Sequence, residues 1–237
     1  MAKESQTVYW LKNAAYALGL PAYALLMRSL SSGARTDRER LALARRVRFR
    51  GYSLRPYQVD DEIVALLAEL RSRNPRRVVE IGTARGGTLF LLLRALAREA
   101  HVVSVDLHRG EFGGGYPHWK IPLFHAMAVG GPRLTLLRGN SQSLAMRQKV
   151  QESLGGPADF ILIDGDHSYE GAKRDFELYR EIVAPGGLLA FHDIVPGGAH
   201  RVGGVPRLWQ ELKSQYAHRE FVKSWDQHGF GIGLLCL

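Results

Sequence analysis

The run Val78-Val79-Glu80-Ile81-Gly82-Thr83-Ala84-Arg85-Gly86-Gly87-Thr88 limits what this chain can fold into more than any other stretch. An apolar segment ends in an acid, passes through a glycine-spaced turn and enters an apolar helical stretch over 89–96. This is the pattern of a buried parallel strand running into a helix N-terminus, where backbone N–H groups and the helix dipole favour a nucleotide-like ligand. The spacing is Gly-x-x-x-Gly-Gly rather than Gly-x-Gly-x-x-Gly. In the dinucleotide fingerprint the middle glycine lets backbone approach a pyrophosphate closely, and here that position is Ala84. A ligand without a pyrophosphate, such as S-adenosylmethionine, suits this turn better than NAD does.

Strand and helix patterns alternate from this point. The first strand is expected over 78–81 with its helix over 88–100, and the second over 102–105 ending in Asp106. The third is expected over 134–137, followed by a helix from about Leu144, and the fourth over 160–163. A helix with Ala172, Phe176, Tyr179 and Val183 on one face follows, Pro185-Gly186-Gly187 breaks it, and the fifth strand covers 188–191. Continuous apolar strands between amphipathic helices imply a parallel sheet covered on both faces. Segments 221–222 and 230–235 lie too close together for a crossover helix and read as an antiparallel pair closing the sheet. The predicted class is α/β: a doubly wound, mostly parallel seven-stranded sheet with an antiparallel last strand. Upstream, Asp60-Asp61-Glu62 opens a helix whose apolar stripe is Ile63, Leu66, Leu67 and Leu70, and Arg71, Arg73 and Asn74-Pro75 close it. Residues 108–122 read as a loop carrying Phe112, Tyr116 and Trp119 among glycines, either a mobile aromatic cover or a plain surface loop.

A chain of 237 residues can bury one sizeable α/β core. The pattern divides it into an arginine-rich helical extension, 1–57, and a ligand-binding domain, 58–237. The net charge of +9 is uneven: nine arginines lie between Arg28 and Arg55 against only Asp37 and Glu39. No nucleic-acid motif accompanies them, so a solvated helical face is expected and no nucleic-acid partner. Residues 13–27 carry no charge but fall short of the roughly 20 needed to span a bilayer, and Gly19-Leu20-Pro21 interrupts them. Glu4 and Pro21 count against a signal peptide. This segment therefore reads as a packing or dimerisation helix, with a homo-oligomer as the partner it allows. The single cysteine, Cys236, excludes an internal disulfide and suits a reducing, cytoplasmic setting.

In an open parallel sheet the ligand lies beyond the carboxyl ends of the strands. Those ends carry Glu80 and Gly82, Asp106, Asp164, and His192-Asp193. Asp106 follows Gly82 by 24 residues, close to the roughly twenty-residue interval at which an acid takes ribose hydroxyls. Its plain alternative is a helix cap or a solvated strand end, and for Glu80 it is a buried acid that caps the turn. In Asp164-Gly165-Asp166-His167-Ser168, Asp166 and Ser168 also fit a helix N-cap. Capping does not account for Asp164 and His167. Histidine can take a proton near neutral pH, as a general base must, and Asp164 and Asp193 offer hard oxygen ligands to a divalent cation. The remaining histidines have no metal-type spacing, and no nucleophile elbow or Walker lysine loop is present.

Taken together, 78–88, Asp106, Gly139-Asn140-Ser141-Gln142, 163–171 and 185–193 resemble the class I S-adenosylmethionine-dependent methyltransferases. The branch most similar holds catechol-type O-methyltransferases and small-molecule enzymes of the cephalosporin hydroxylase-like and sugar O-methyltransferase kind. The resemblance covers about Leu54 to the C-terminus and implies a Rossmann-like methyltransferase fold. It places Glu80, Gly82, Ala84, Gly86 and Thr88 at the methionine end of the cofactor, Asp106 at the ribose, and Ser141 with Gln142 at the adenine. Asp164 would lie next to the sulfonium and be the first metal ligand, His167 would stand where catechol-type enzymes carry a lysine base, and His192 with Asp193 would complete the metal set. His192 replaces an acid of those enzymes. Imidazole suits manganese better than magnesium, so a divalent ion, Mg or Mn, enters the expectation conditionally. The activity implied is methyl transfer to a hydroxyl of a small molecule: a sugar, a phenol or a natural product. Two rivals remain open, an NAD(P)-dependent oxidoreductase and an RNA or DNA methyltransferase guided by the basic N-terminal region.

Overall fold

The computed structural model describes residues 20–31, 35–49, 52–107 and 115–237. Among them the main sheet has seven strands: β1 (Arg77–Ile81), β2 (His101–Asp106), β3 (Arg133–Arg138), β4 (Ala158–Ile163), β5 (Val183–His192), β6 (Ala217–Phe221) and β7 (Ile232–Cys236). Their spatial order is β3-β2-β1-β4-β5-β7-β6. The first five are mutually parallel, and β7 is antiparallel to both β5 and β6. The expected doubly wound sheet is thus present, with the chain reversing direction about β1 and β4.

Helices α1 (Leu20–Ser31), α2 (Asp37–Arg46), α3 (Asp60–Arg73), α4 (Gly87–Ala95) and α5 (Ile121–Ala128) form one cover with its own apolar core. Helices α6 (Leu144–Leu154), α7 (Tyr169–Tyr179), α8 (Ala199–Val202) and α9 (Val205–Lys213) follow, and α6, α7 and α9 pack the opposite face. Each start has a local cause. Thr36 makes a capping box with Glu39, and Ser143 and Ser168 accept from Met146 N and Gly171 N. Helix α3 carries its acids first and its arginines last, and it ends on Asn74 in the left-handed conformation, as read from the sequence.

Several boundaries differ from expectation. The helix after β1 ends at Ala95 rather than 100. Val183 is not on the helix with Phe176. That helix tightens into a 3₁₀ turn at Arg180–Ile182, and Val183 opens β5 opposite Ala158, so Pro185-Gly186-Gly187 lies inside the strand. Phe230 lies outside β7 because its φ of 63° cannot continue a ladder. The loop expected over 108–122 gives way to a 3₁₀ turn at His118–Lys120 and then to α5; residues 108–114, with Phe112, lie outside the described residues.

The first nineteen residues of the predicted extension lie outside the described set, including 13–19 of the uncharged segment. The rest of 1–57 shares the main core: Met27, Leu41, Ala44, Val47 and Leu54 are buried with α3 and α4. A Cβ on Gly87 would come within 2.5 Å of Leu54 O and Pro56 N, so this segment sits directly against the start of α4. Arg28, Arg35, Arg46, Arg48 and Arg55 are exposed, and other arginines make internal contacts. Arg38 pairs with Asp61 at 2.7 Å, Arg45 with Asp60, Arg71 with Asp37, and Arg40 donates to Arg94 O at 3.1 Å. Among the described residues no helix is long and apolar enough to cross a membrane.

Candidate active site

Register brings the polar strand ends level. Ile81 pairs with Val105 on one side and Ile163 on the other, and Ile163 pairs with Phe191. Gly82, Asp106, Asp164 and His192 therefore emerge along one edge. Gly82 has φ 96°, and a Cβ there would fall 1.8 Å from Asp164 O. Its N–H donates to Val105 O at 2.9 Å, while Asp164 N donates to Ile81 O at 2.8 Å. Only glycine lets these two strand ends touch.

The glycine turn is held from below. Glu80 is completely buried, and its Oε2 accepts from Ser104 Oγ at 2.6 Å. Ser104 Oγ in turn lies 2.5 Å from Thr83 Oγ1. Burial raises the Glu80 pKa to about 8, against the Ser104 hydrogen bond, and Oε1 has no hydrogen-bond partner. Ala84 is left-handed, φ 45°, and its N–H donates to Asp106 Oδ2 at 2.7 Å, while Gly115 N donates to Oδ1 at 2.8 Å. Burial raises the Asp106 pKa and these backbone amides oppose it. Asp106 thus fastens the turn with both oxygens. Gly86, φ 81°, would drive a Cβ into the Phe124 ring at 2.6 Å, and Thr88 is buried in the first turn of α4.

Past β3, Gln142 Nε2 donates to Asp166 Oδ2 at 2.9 Å, and Asp166 Oδ1 accepts from Ser168 N at 2.9 Å. Asp166 and Ser168 are therefore capping residues, the local alternative weighed for them. Ser141 faces Asp175, a buried acid of α7 whose pKa burial raises to about 7 against the Ser141 hydroxyl.

At the ends of β4 and β5 lies a network of two carboxylates and two imidazoles. His192 Nδ1 is 3.1 Å from Asp164 Oδ1 and 3.5 Å from Asp193 Oδ2. His167 Nε2 is 3.6 Å from Asp164 Oδ1, and its Nδ1 is 3.4 Å from Asp193 Oδ2. His167 Nδ1 also contacts Arg201 O, which assigns the proton to Nδ1 and turns Nε2 toward Asp164. Burial acts to lower the His167 pKa, but Asp164 outweighs it and the result is about 8. Burial acts to lower the His192 pKa, but Asp164 and Asp193 outweigh it and raise it well above the usual range. For Asp164 burial works upward, and the two imidazoles hold the carboxyl below the usual range.

The three residues whose ligand atoms lie within 4.8 Å of one another are Asp164, His167 and Asp193. His192, expected among the metal ligands, reaches Asp164 through Nδ1, and its buried Nε2 has no hydrogen-bond partner. Both rings therefore lie beside the two carboxylates, His167 held by Arg201 O and His192 buried. One His and two Asp donors suit a divalent ion that accepts both imidazole and carboxylate.

Sequence reading missed five contributors. Gln58, just before α3, donates to Asp164 Oδ2 at 3.3 Å. Gly203, φ 52°, leaves no room for a Cβ, which would sit 2.0 Å from His167 O, and Gly204 N donates to that carbonyl at 2.8 Å. Phe230 N donates to Asp193 Oδ1 at 2.9 Å. Asp60-Asp61-Glu62 had been read as dipole matching, yet Glu62 is 2% exposed and accepts from Lys223 N, Gln227 Nε2 and Gly231 N. A third acid in a first turn was the only local hint.

Residues 79–194 match the model of a family described as a methyltransferase domain. Among solved structures the fold is similar to that of an O-methyltransferase from Bacillus cereus in complex with SAH. The TM-score is 0.59 and the identity 16%, covering 92% of this chain and 100% of that one. It is also similar to TomG from Streptomyces achromogenes, an O-methyltransferase involved in tomaymycin synthesis, in complex with SAM. Here the TM-score is 0.59 and the identity 20%, with 91% and 96% covered. At these identities the likeness is one of fold. An uncharacterized protein of Sinorhizobium fredii, y4gI, is 27% identical over 165 residues, 67% of this chain; the match spans only 17% of that relative's length.

Proposed function

We propose that the chain, whose residues 79–194 match a methyltransferase domain, moves a methyl group from S-adenosylmethionine to a hydroxyl of a small molecule. The observation that carries this reading is the meeting of Asp164, His167 and Asp193 beside the glycine turn at one sheet edge. Glu80, Gly82, Ala84, Gly86 and Thr88 would bound the methionine end, and Asp106, Ser141 and Gln142 the nucleoside. Ala84 keeps its methyl where a pyrophosphate-binding turn needs glycine, which favours this cofactor over NAD.

In the step itself the acceptor oxygen attacks the methyl carbon in line with the carbon–sulfur bond. The oxygen–carbon bond forms, the carbon–sulfur bond breaks, and S-adenosylhomocysteine leaves with the electron pair. The hydroxyl proton goes to Nε2 of neutral His167, the form that predominates above its pKa of about 8, with the other ring proton kept on Nδ1 by the Arg201 carbonyl. Alignment accounts for up to roughly 7–11 kcal/mol of such a barrier, and proton removal for a further factor of about 10²–10⁴. A divalent ion held by Asp164 and Asp193 would supply Lewis acidity to the acceptor hydroxyl while His167 takes the proton.

Calorimetric titration with S-adenosylhomocysteine and with NAD separates this reading from an oxidoreductase; tight binding of NAD alone overturns it. With a hydroxyl acceptor in hand, His167→Ala is expected to lower kcat by about 10²–10⁴ while cofactor affinity stays within twofold. Undiminished turnover in that variant removes His167 from the proton path.

A further inference from the structure

Along the site edge the strand ends run from Asp106 on β2 through Glu80 on β1 and Asp164 on β4 to Asp193 on β5, and the residues entering β7 come next. In-line transfer puts the acceptor beyond the methyl carbon, on the side away from the nucleoside. Given the methyl-transfer reading above, that side lies over β5 and β7.

Four consecutive residues there are left-handed: His228, Gly229, Phe230 and Gly231 have φ of 58°, 117°, 63° and 80°. An aromatic side chain at φ 63° is held against a cost that glycine would not incur. The clamp is visible. Phe230 N–H donates to Asp193 Oδ1 at 2.9 Å, and Phe230 O accepts from Val195 N at 2.9 Å. Gly231 N donates to the buried Glu62 at 2.9 Å, and a Cβ on Gly197 would lie 2.8 Å from His228 O. These contacts fix where the ring goes. Its centroid is 6.1 Å from that of His192, and Arg201 Cζ lies 5.1 Å from it. Arg201 is the residue whose carbonyl orients His167, and its side chain is exposed. A flat apolar face and a guanidinium therefore meet at the rim of the reaction centre.

We propose that Phe230 and Arg201 form the wall that recognises the acceptor, and that the acceptor is an aryl hydroxyl bearing an anionic substituent such as a carboxylate. The planar guanidinium is pre-organised by stacking and pairs bidentately with a carboxylate. The ring offers its face to a second ring, for which offset or edge contacts are favourable. The inference rests on the methyl-transfer reading, and its test keeps the two apart.

The full chain, saturated with S-adenosylhomocysteine, is titrated with 4-hydroxybenzoate and with its uncharged methyl ester. The acid is expected to bind about tenfold more tightly than the ester, and Arg201→Gln to erase that preference. Phe230→Gly is expected to weaken both ligands about tenfold while the melting temperature stays equal or rises, because glycine takes φ 63° without strain. If that variant fails to fold, Phe230→Leu carries the same expectation for binding. Failure to bind S-adenosylhomocysteine sinks the methyl-transfer reading. Binding of S-adenosylhomocysteine without binding of the acid, equal affinity for acid and ester, or indifference to both substitutions overturns the wall.

Discussion

At the ends of β1 and β2 the cleft is assembled largely from backbone, whereas at the ends of β4 and β5 side chains from three stretches of chain meet and main-chain groups of two more hold them. On the first side Gly82, Ala84 and Gly86 shape one turn, and Asp106 receives Ala84 N and Gly115 N. On the second, Asp164 meets Gln58 and His192, Asp193 receives Phe230 N, and His167 rests against Arg201 O. The first construction needs close approach of main chain and tolerates little change in residue size. The second needs long-range placement, and substitutions in it are expected to alter rate before they alter folding.

The sharpest way to break this contrast is Gly82→Ala. Its methyl would fall onto Asp164 O at a left-handed φ, so a loss on the order of 4 kcal/mol of stability is expected. Urea unfolding measures it, and a midpoint near that of the wild type would refute the close-approach account. Glu62→Gln probes the other side. The amide keeps one acceptor oxygen for three donors, so the strap over 223–231 should loosen and release Asp193. A stability loss of about 1–3 kcal/mol should accompany a fall in kcat of about tenfold, with the cofactor Kd unchanged. A lower melting temperature with intact kcat would leave Glu62 as a fold residue only.

The most gradual effect expected is a slope with pH. Glu80 titrates near 8 in the folded chain against 4.5 ordinarily, so it keeps its proton longer when folded. Its contribution is complete below pH 4.5 and is lost as the pH rises through about 8. His167, raised to about 8 from 6.5, is lost in the upper part of the same window. Stability of the ligand-free chain should therefore decline from pH 6.5 to 8 by up to about 1.4 kcal/mol per unit for each group. Glu80→Gln should flatten part of this decline. Identical profiles for the two proteins would contradict the assignment.

The same contrast explains what could be read in advance. Strands β1 to β5 announce themselves because a central parallel strand is buried on both faces and so is apolar throughout, as in Val102-Val103 and Phe160-Ile161-Leu162-Ile163. The polar residue ending each strand stands out against that background. Less was legible where local preference is ambiguous. Val183 continues the apolar stripe of α7, and only its pairing with Ala158 makes it strand. Phe230 belongs by composition to the apolar run before Cys236, yet the bond from its N–H to Asp193 and the clamp on Gly231 set it at φ 63°. That His167 joins His192 beside the two carboxylates was likewise unreadable, because a carbonyl 34 positions away orients the ring.

Periodicity and glycine spacing by themselves determined the order of the elements, the edge at which the site lies and the residue types that line it, since burial and turn geometry act within a few positions. How the two imidazoles are set against the carboxylates, what holds Asp193, and which side chains form the outer rim were decided by tertiary structure. Those choices depend on contacts such as Glu62 to Gly231, 169 positions apart, that no local pattern encodes.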